Sequence, residues 1–397
     1  MLMVSDLIDL ARGFAEGGAL RARAPSRFEA RSETVPVIVW NVCRHCNMSC
    51  PHCYAAAGPS ASSRDLSREE ALGVLEQLAR AGVRHVIFSG GEPLLRSDLL
   101  ELVARAHALG LGAHLSSNGS LLDEAVAARL REAGVSYVGV SIDGMAAWND
   151  DYRGLEGGFE RASGGLRAAK AAGLRTGLRI TVTRRNAAML EPLIEHALEL
   201  GVDRFYVSHL VYAGRARAIQ SDDLEPAESR RLLESLFERA LALAEAGSGT
   251  RIVTGGNDSD GALLYLWARD RWGESAAARI HEMLLARGGN SAGESVLDID
   301  HQGRVHPDQF WREAVLGDLR LQSFEEILAH PLRAQLADRE SRLHGRCGGC
   351  AYLRLCRGSH RERALSRYGD LWASDPSCVL RDDELGGVSP QGVGGAS

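Results

Sequence analysis

From residue 37 onward, short apolar runs alternate with longer stretches whose apolar positions recur at helical spacing. Val37-Ile-Val-Trp-Asn reads as a strand by its β-branched content, with Pro36 at its start. Leu66-Ser-Arg-Glu-Glu-Ala opens a helix, with Ser67 as N-cap and Glu70 completing a capping box. The pattern then predicts strands over 83–88, 112–116, 136–142, 176–183 and 203–210. Helices are predicted over 97–109, 122–133, 159–172, 189–200 and 225–246. Six βα units in a row imply a parallel α/β sheet with right-handed crossovers. Six fit an open partial (β/α)6 barrel better than a closed barrel of eight, and a doubly wound sheet is the alternative.

The rhythm breaks after residue 250. Residues 260–287 read as helical, 295–299 and 305–310 as a hairpin turned at Gly303, and 324–337 as a helix interrupted at Pro331. The domains expected are therefore an N-terminal extension at 1–34 with one short amphipathic helix, a partial barrel at 35–250, and a C-terminal α+β domain at 251–385. The Gly/Ser/Pro-rich tail at 386–397 is expected to be disordered.

Composition narrows the chemistry. The net charge of −6 speaks against a nucleic-acid partner. No run is long enough to span a bilayer, and no signal peptide is evident, so a cytoplasmic protein without a membrane partner is expected. Lys170 is the only lysine and sits in a helical Arg-Ala-Ala-Lys-Ala-Ala stretch. That argues against a P-loop nucleotidase or a pyridoxal-phosphate enzyme.

The eight cysteines form two tight groups, at 43, 46, 50, 53 and at 347, 350, 356, 378. Clustered cysteines in a chain of this kind point to metal rather than to a disulfide framework. Cys46-x3-Cys50-x2-Cys53 follows the first strand, at the end of the βα array where active-site loops gather. Three thiolates can hold three irons of a [4Fe–4S] cube and leave the fourth iron open. A zinc knuckle using Cys43-x2-Cys46 is the competing reading, and otherwise Cys43 is a small apolar filler. Cys347-x2-Cys350-x5-Cys356-x21-Cys378 offers four thiolates, for a fully ligated second cluster or a structural zinc.

Further motifs fall at successive strand ends: Ser89-Gly90-Gly91-Glu92-Pro93, Ser117-Asn118-Gly119 and Ser141-Ile142-Asp143-Gly144. The two glycines permit close backbone approach, and the alternative for each motif is a plain turn or loop. Arg179, on the fifth strand, is either a bidentate carboxylate ligand or a surface arginine.

The cysteine motif, with Gly90-Gly91-Glu92 one βα unit later, resembles radical S-adenosylmethionine (SAM) enzymes that carry a C-terminal auxiliary-cluster domain of the SPASM or Twitch type. The stretches 208–215 (Ser-His-Leu-Val-Tyr-Ala-Gly-Arg), 256–260, 288–291, 305–308 (Val-His-Pro-Asp) and Cys347-Gly-Gly-Cys350 are similar to the branch that serves haem d1 biosynthesis. The resemblance implies two [4Fe–4S] clusters, SAM as cofactor and an electron donor of the flavodoxin or ferredoxin type. SAM contacts are implied at Gly90, Gly91, Glu92, Ser117, Ser141 and Arg179. The implied reaction is removal of propionate side chains from the tetrapyrrole 12,18-didecarboxysiroheme. His209 or His306 would then ligate the substrate iron and Arg215 would clamp a propionate, the alternative for His209 being a hydrogen-bonded core histidine. A related tetrapyrrole decarboxylase, a peptide-modifying radical SAM enzyme and a zinc-binding interaction protein are the competing functions.

Overall fold

The computed structural model describes residues 1–17 and 35–386. The polar stretch after the first helix and nearly all of the expected disordered tail lie outside the described residues. The chain divides into two compact units, one of 33–223 with 291–337, the other of 1–32 with 224–290 and 338–397.

In the first unit six parallel strands follow one another: β1 Val37–Asn41, β2 His85–Ser89, β3 Gly112–Ser117, β4 Val135–Ser141, β5 Arg175–Val182 and β6 Arg204–His209. They lie side by side in chain order, so the winding never reverses. That order excludes the doubly wound alternative, whose strand sequence must switch direction. Helices separate the strands, and their ends follow local chemistry. Ser67 caps Arg68–Arg80 by accepting from the Glu70 backbone N–H at 3.2 Å, and the Glu70 carboxylate accepts from the Ser67 N–H at 2.7 Å.

The strands alternate in burial. Phe205, Val207 and His209 on β6, and Leu178, Ile180 and Val182 on β5, are buried on one face. Arg179, Thr181, Tyr206 and Ser208 are half-buried on the other.

The other unit contains β7, Arg251–Gly255, and the N-terminal helix Val4–Ala15. Leu2 and Thr254 exchange backbone hydrogen bonds, and Arg251 pairs with Asp6 and Asp9. The described part of the expected N-terminal extension, residues 1–17, thus packs into a core. Two helices, Ser259–Trp272 and Glu274–Arg287, replace the single helical stretch, because Gly273 at φ +83° breaks them apart.

The expected division at residue 250 also shifts. The hairpin of β8 Val296–Ile299 and β9 Arg304–His306, with β10 Gly317–Asp318, belongs to the first unit. β8 runs parallel to β1 and extends that sheet past its first strand. A parallel partner more than 200 residues away leaves no local periodic signal.

Candidate active site

The loop that leaves β1 carries the first cysteine group, and the loop that leaves β2 holds it in place. Val42 donates to the Ser89 carbonyl at 3.0 Å, Gly91 to that of Cys43 at 2.8 Å and Glu92 to that of His45 at 2.7 Å. Gly90 has φ +149°, and a Cβ on Gly91 would stand 2.1 Å from the His45 oxygen. The close approach that these glycines permit is therefore made to the cysteine loop itself.

Cys43 stands apart from the other three. Its thiol donates to the Glu92 carbonyl at 3.3 Å, and burial pushes it up to about 12. It is a protonated, hydrogen-bonded core thiol. Cys46, Cys50 and Cys53 pack together around Met48 and Ala57. Burial pushes the Cys46 thiol up and that of Cys50 to about 11, and each of these two feels the Cys53 charge.

Polar groups surround this triad. The Asn118 amide donates to Cys46 Sγ at 3.9 Å and to Asn47 Oδ1 at 2.8 Å. Arg153, at the end of the helix Ala146–Arg153, is buried; its charge favours the thiolates of Cys46 and Cys50. Its Nη1 donates to Asp143 Oδ2 at 2.8 Å, and His52 Nε2 lies 3.2 Å from the same oxygen. Burial would raise the Asp143 carboxyl, but His52 and Arg153 outweigh it and hold the group down to about 2. Nothing in the local pattern marks Arg153, because its role depends on where its helix docks.

Arg215 braces the same loop. Its Nε donates to the Cys50 carbonyl at 2.8 Å, its Nη1 to that of Ala57, and its backbone N–H to that of Cys53 at 3.0 Å. Two of its three guanidinium nitrogens thus serve the cysteine loop.

Glu92 is fully buried, and burial raises its carboxyl. Oε1 accepts from Ser117 Oγ at 2.8 Å and from the Leu94 N–H at 3.1 Å, while Oε2 accepts from the Asn118 N–H at 2.7 Å. The carboxylate thus ties the ends of β2 and β3 together. Arg179 lies across the half-exposed face, over Gly139, and donates from Nη1 to Ser116 Oγ at 2.6 Å. It is a half-buried arginine beside Tyr137, with Ser141 as its register neighbour on β4.

The two histidines considered for the substrate iron are both closed in. His209 shares the buried face of β6 with Phe205 and Val207. His306 is fully buried; its Nδ1 lies 2.9 Å from the Ala314 carbonyl and its Nε2 3.4 Å from Asp300 Oδ2.

In the other unit the second cysteine group is assembled. Cys347 and Cys356 are buried, Cys350 and Cys378 half-buried. The charge of Cys347 reaches each of the other three. Burial pushes Cys350 and Cys356 up, and Cys378 to about 11. Backbone N–H groups of Tyr352, Gly358 and Leu380 point at Cys350, Cys356 and Cys378. After Cys356 the chain turns through Arg357, Gly358 and Ser359, all at positive φ. A bidentate pair of Arg363 with Asp375, at 2.9 and 2.7 Å and fully buried, joins this turn to the approach to Cys378.

Among the described residues no three His, Cys, Asp or Glu side chains converge on a single-ion site. A cube of four irons spreads its thiolates over separate corners, and N–H donors beside the sulfurs suit such a cluster. Both cysteine groups fit that requirement.

Residues 40–208 match the model of the Radical SAM superfamily. The chain is 42% identical over 360 residues to the pre-heme d1 synthase of Dinoroseobacter shibae, covering 90% of this chain and 89% of that protein. It is 39% identical over 357 residues to the Fe-coproporphyrin III synthase of Methanosarcina barkeri, covering 88% and 89%. Among solved structures, anSMEcpe with bound AdoMet aligns with a TM-score of 0.67 at 19% identity, over 86% of this chain and 93% of that one. That last likeness concerns the fold alone.

Proposed function

Because the chain belongs to the radical SAM superfamily and is an enzyme related to those of haem synthesis, we propose that it removes propionate side chains from 12,18-didecarboxysiroheme on the way to haem d1. The observation that carries this reading is the 42% identity to a pre-heme d1 synthase along nearly the whole of both chains. Enzymes of this superfamily use a [4Fe–4S] cluster and SAM, which together supply a 5′-deoxyadenosyl radical.

In this reading Cys46, Cys50 and Cys53 hold the SAM-cleaving cluster. Asn118 favours the thiolate of Cys46 and Arg153 those of Cys46 and Cys50, while Arg215 and the Gly90-Gly91 loop brace the loop that carries all three cysteines. SAM would lie along the strand ends that carry Gly91, Ser117, Ser141 and Arg179. Glu92 acts from behind, by joining two of those ends. Cys347, Cys350, Cys356 and Cys378 would hold a second [4Fe–4S] cluster. A flavodoxin or ferredoxin would supply the electron.

The 39% identity to an Fe-coproporphyrin III synthase favours a second reading, a decarboxylase of a neighbouring tetrapyrrole. One experiment separates the two. The anaerobically reconstituted protein is given SAM, dithionite and either didecarboxysiroheme or its neighbouring tetrapyrroles, and products are followed by mass spectrometry. Loss of propionate side chains from didecarboxysiroheme, matched by 5′-deoxyadenosine, is expected. Turnover of another tetrapyrrole alone would replace the first reading by the second, and turnover of none would reject both.

A further inference from the structure

Beside the cysteine loop, on β8 between β1 and β9, lies a buried polar group to which nothing above gives a role. Asp298 on β8 is fully buried. Its Oδ1 accepts from Asn41 Nδ2 at 2.6 Å, but its Oδ2 has no hydrogen-bond donor. Arg312 faces it, with Nη2 3.7 Å from that oxygen, too far for a hydrogen bond. The Nε and Nη2 of Arg312 are both buried without an acceptor. These two nitrogens form one edge of the guanidinium, whose parallel N–H groups match the two oxygens of a carboxylate.

A buried donor pair without an acceptor is costly, and the cost is met when a ligand supplies the acceptor. The neighbours narrow the ligand. The guanidinium carbon of Arg312 lies 5.9 Å from the ring centre of Tyr54, which follows Cys53 directly. Phe310 meets the Tyr54 ring edge-on, with centroids 5.4 Å apart. Both rings are half-buried, so an apolar wall adjoins the cationic fork. The wall is tied to the floor, since Tyr54 Oη donates to Asn41 Oδ1 at 3.0 Å and Asn41 donates to Asp298.

We propose that the Nε/Nη2 edge of Arg312, backed by Asp298, is a binding site for a carboxylate arm of the substrate. This rests on the tetrapyrrole reading above, in which the substrate is a flat ring bearing propionates. One arm lies in the fork while the ring rests against Tyr54 and Phe310, beside the loop that carries the SAM-cleaving cysteines. Burial pushes the Asp298 carboxyl up to about 7, so near neutral pH its acid form adds a third donor to the incoming carboxylate.

The test is optical titration of the full-length, reconstituted protein under argon with iron-coproporphyrin III, which has four propionates, and with its tetramethyl ester. Iron content and thermal melting report the integrity of each variant. The wild-type protein is expected to prefer the acid to the ester. Arg312→Gln should weaken acid binding by about tenfold or more and ester binding little, as loss of one charged, bidentate contact predicts. Arg312→Lys keeps the charge without the fork and should lose several-fold on the acid. If Arg312→Gln disturbs iron content, the lysine variant decides. Wild-type affinity and preference in the deciding variant would overturn the clamp while leaving the tetrapyrrole reading intact. If the wild-type protein binds neither compound, the tetrapyrrole reading falls and the clamp falls with it.

Discussion

Arg215 Nε donates to the carbonyl oxygen of Cys50 across 2.8 Å, although the two residues are 165 positions apart. A guanidinium thereby holds the backbone of a cysteine that the spacing motif selects as a cluster ligand. Hydrogen bonds from charged groups contribute about 1.5–3 kcal/mol each. Arg215→Ala is therefore expected to loosen the cysteine loop and to lower both iron retention and SAM cleavage. Arg215→Lys, which can satisfy one carbonyl but not two, should recover part of each. Iron and 5′-deoxyadenosine measured on the same reconstituted samples check this, and unchanged values in the alanine variant would remove the brace from the account.

The four cysteines of the first group should divide three to one. Serine at Cys46, Cys50 or Cys53 should abolish 5′-deoxyadenosine formation with dithionite and SAM. Cys43→Ser should retain it, because that thiol donates to the backbone carbonyls of Glu92 and His45, and a hydroxyl can do the same. Product from Cys46→Ser, with none from Cys43→Ser, would reverse the assignment.

For the second group, replacing any one of Cys347, Cys350, Cys356 and Cys378 by alanine should remove about half of the bound iron and destabilise the unit that holds it, since metal-binding energy there is also folding energy. Elemental analysis of protein made with ample iron provides the check. Stoichiometric zinc in the wild-type protein would contradict an iron–sulfur site.

Asp298 should make stability depend on pH. Its carboxyl is pushed up by burial, against the charges of Arg312 and His306 and with those of Asp300 and Asp308. A carboxyl with a raised pKa in the folded state stabilises the fold while it is protonated, and that contribution is lost as the pH rises from about 3.8 to about 7. Asp298→Asn keeps the oxygen that Asn41 uses and cannot ionise. Relative to wild type it should gain stability between pH 5 and pH 8, on the order of 1–4 kcal/mol. Thermal melts of both proteins at the two pH values give the difference, and a gap that does not widen with pH would disprove the burial argument.

Most of the repeating βα scaffold could be read from the chain, because each strand and helix carries its own period and ends. Ser67 with Glu70, the turn at Gly303 and the break at Pro331 behaved as local chemistry requires. The cysteine groups were legible for the same reason, since their spacing is local. Other features depend on contacts far apart in the sequence. The pairing of β8 with β1 and the incorporation of the N-terminal helix into the other core leave no periodic trace. Arg153 and Arg312 looked like any of the many arginines until their neighbours were known. The position of His209 at a strand end was legible, but the face of β6 on which it falls, the covered one, was not, because the register of the strand is set by its neighbours.

The bond between Asn41 and Asp298 spans 257 residues. During synthesis β1 emerges among the first elements, yet its partner on one side is still several hundred nucleotides of message away. Until β8 arrives, that flank of β1 presents unsatisfied backbone amides and carbonyls, and Asn41 Nδ2 lacks the acceptor that Asp298 supplies. The order of the βα units lets the sheet grow as the chain leaves the ribosome, but its first edge is sealed late. Expression at a slowed translation rate would therefore prolong a state with one open strand, and that flank is where misassembly between nascent chains would begin.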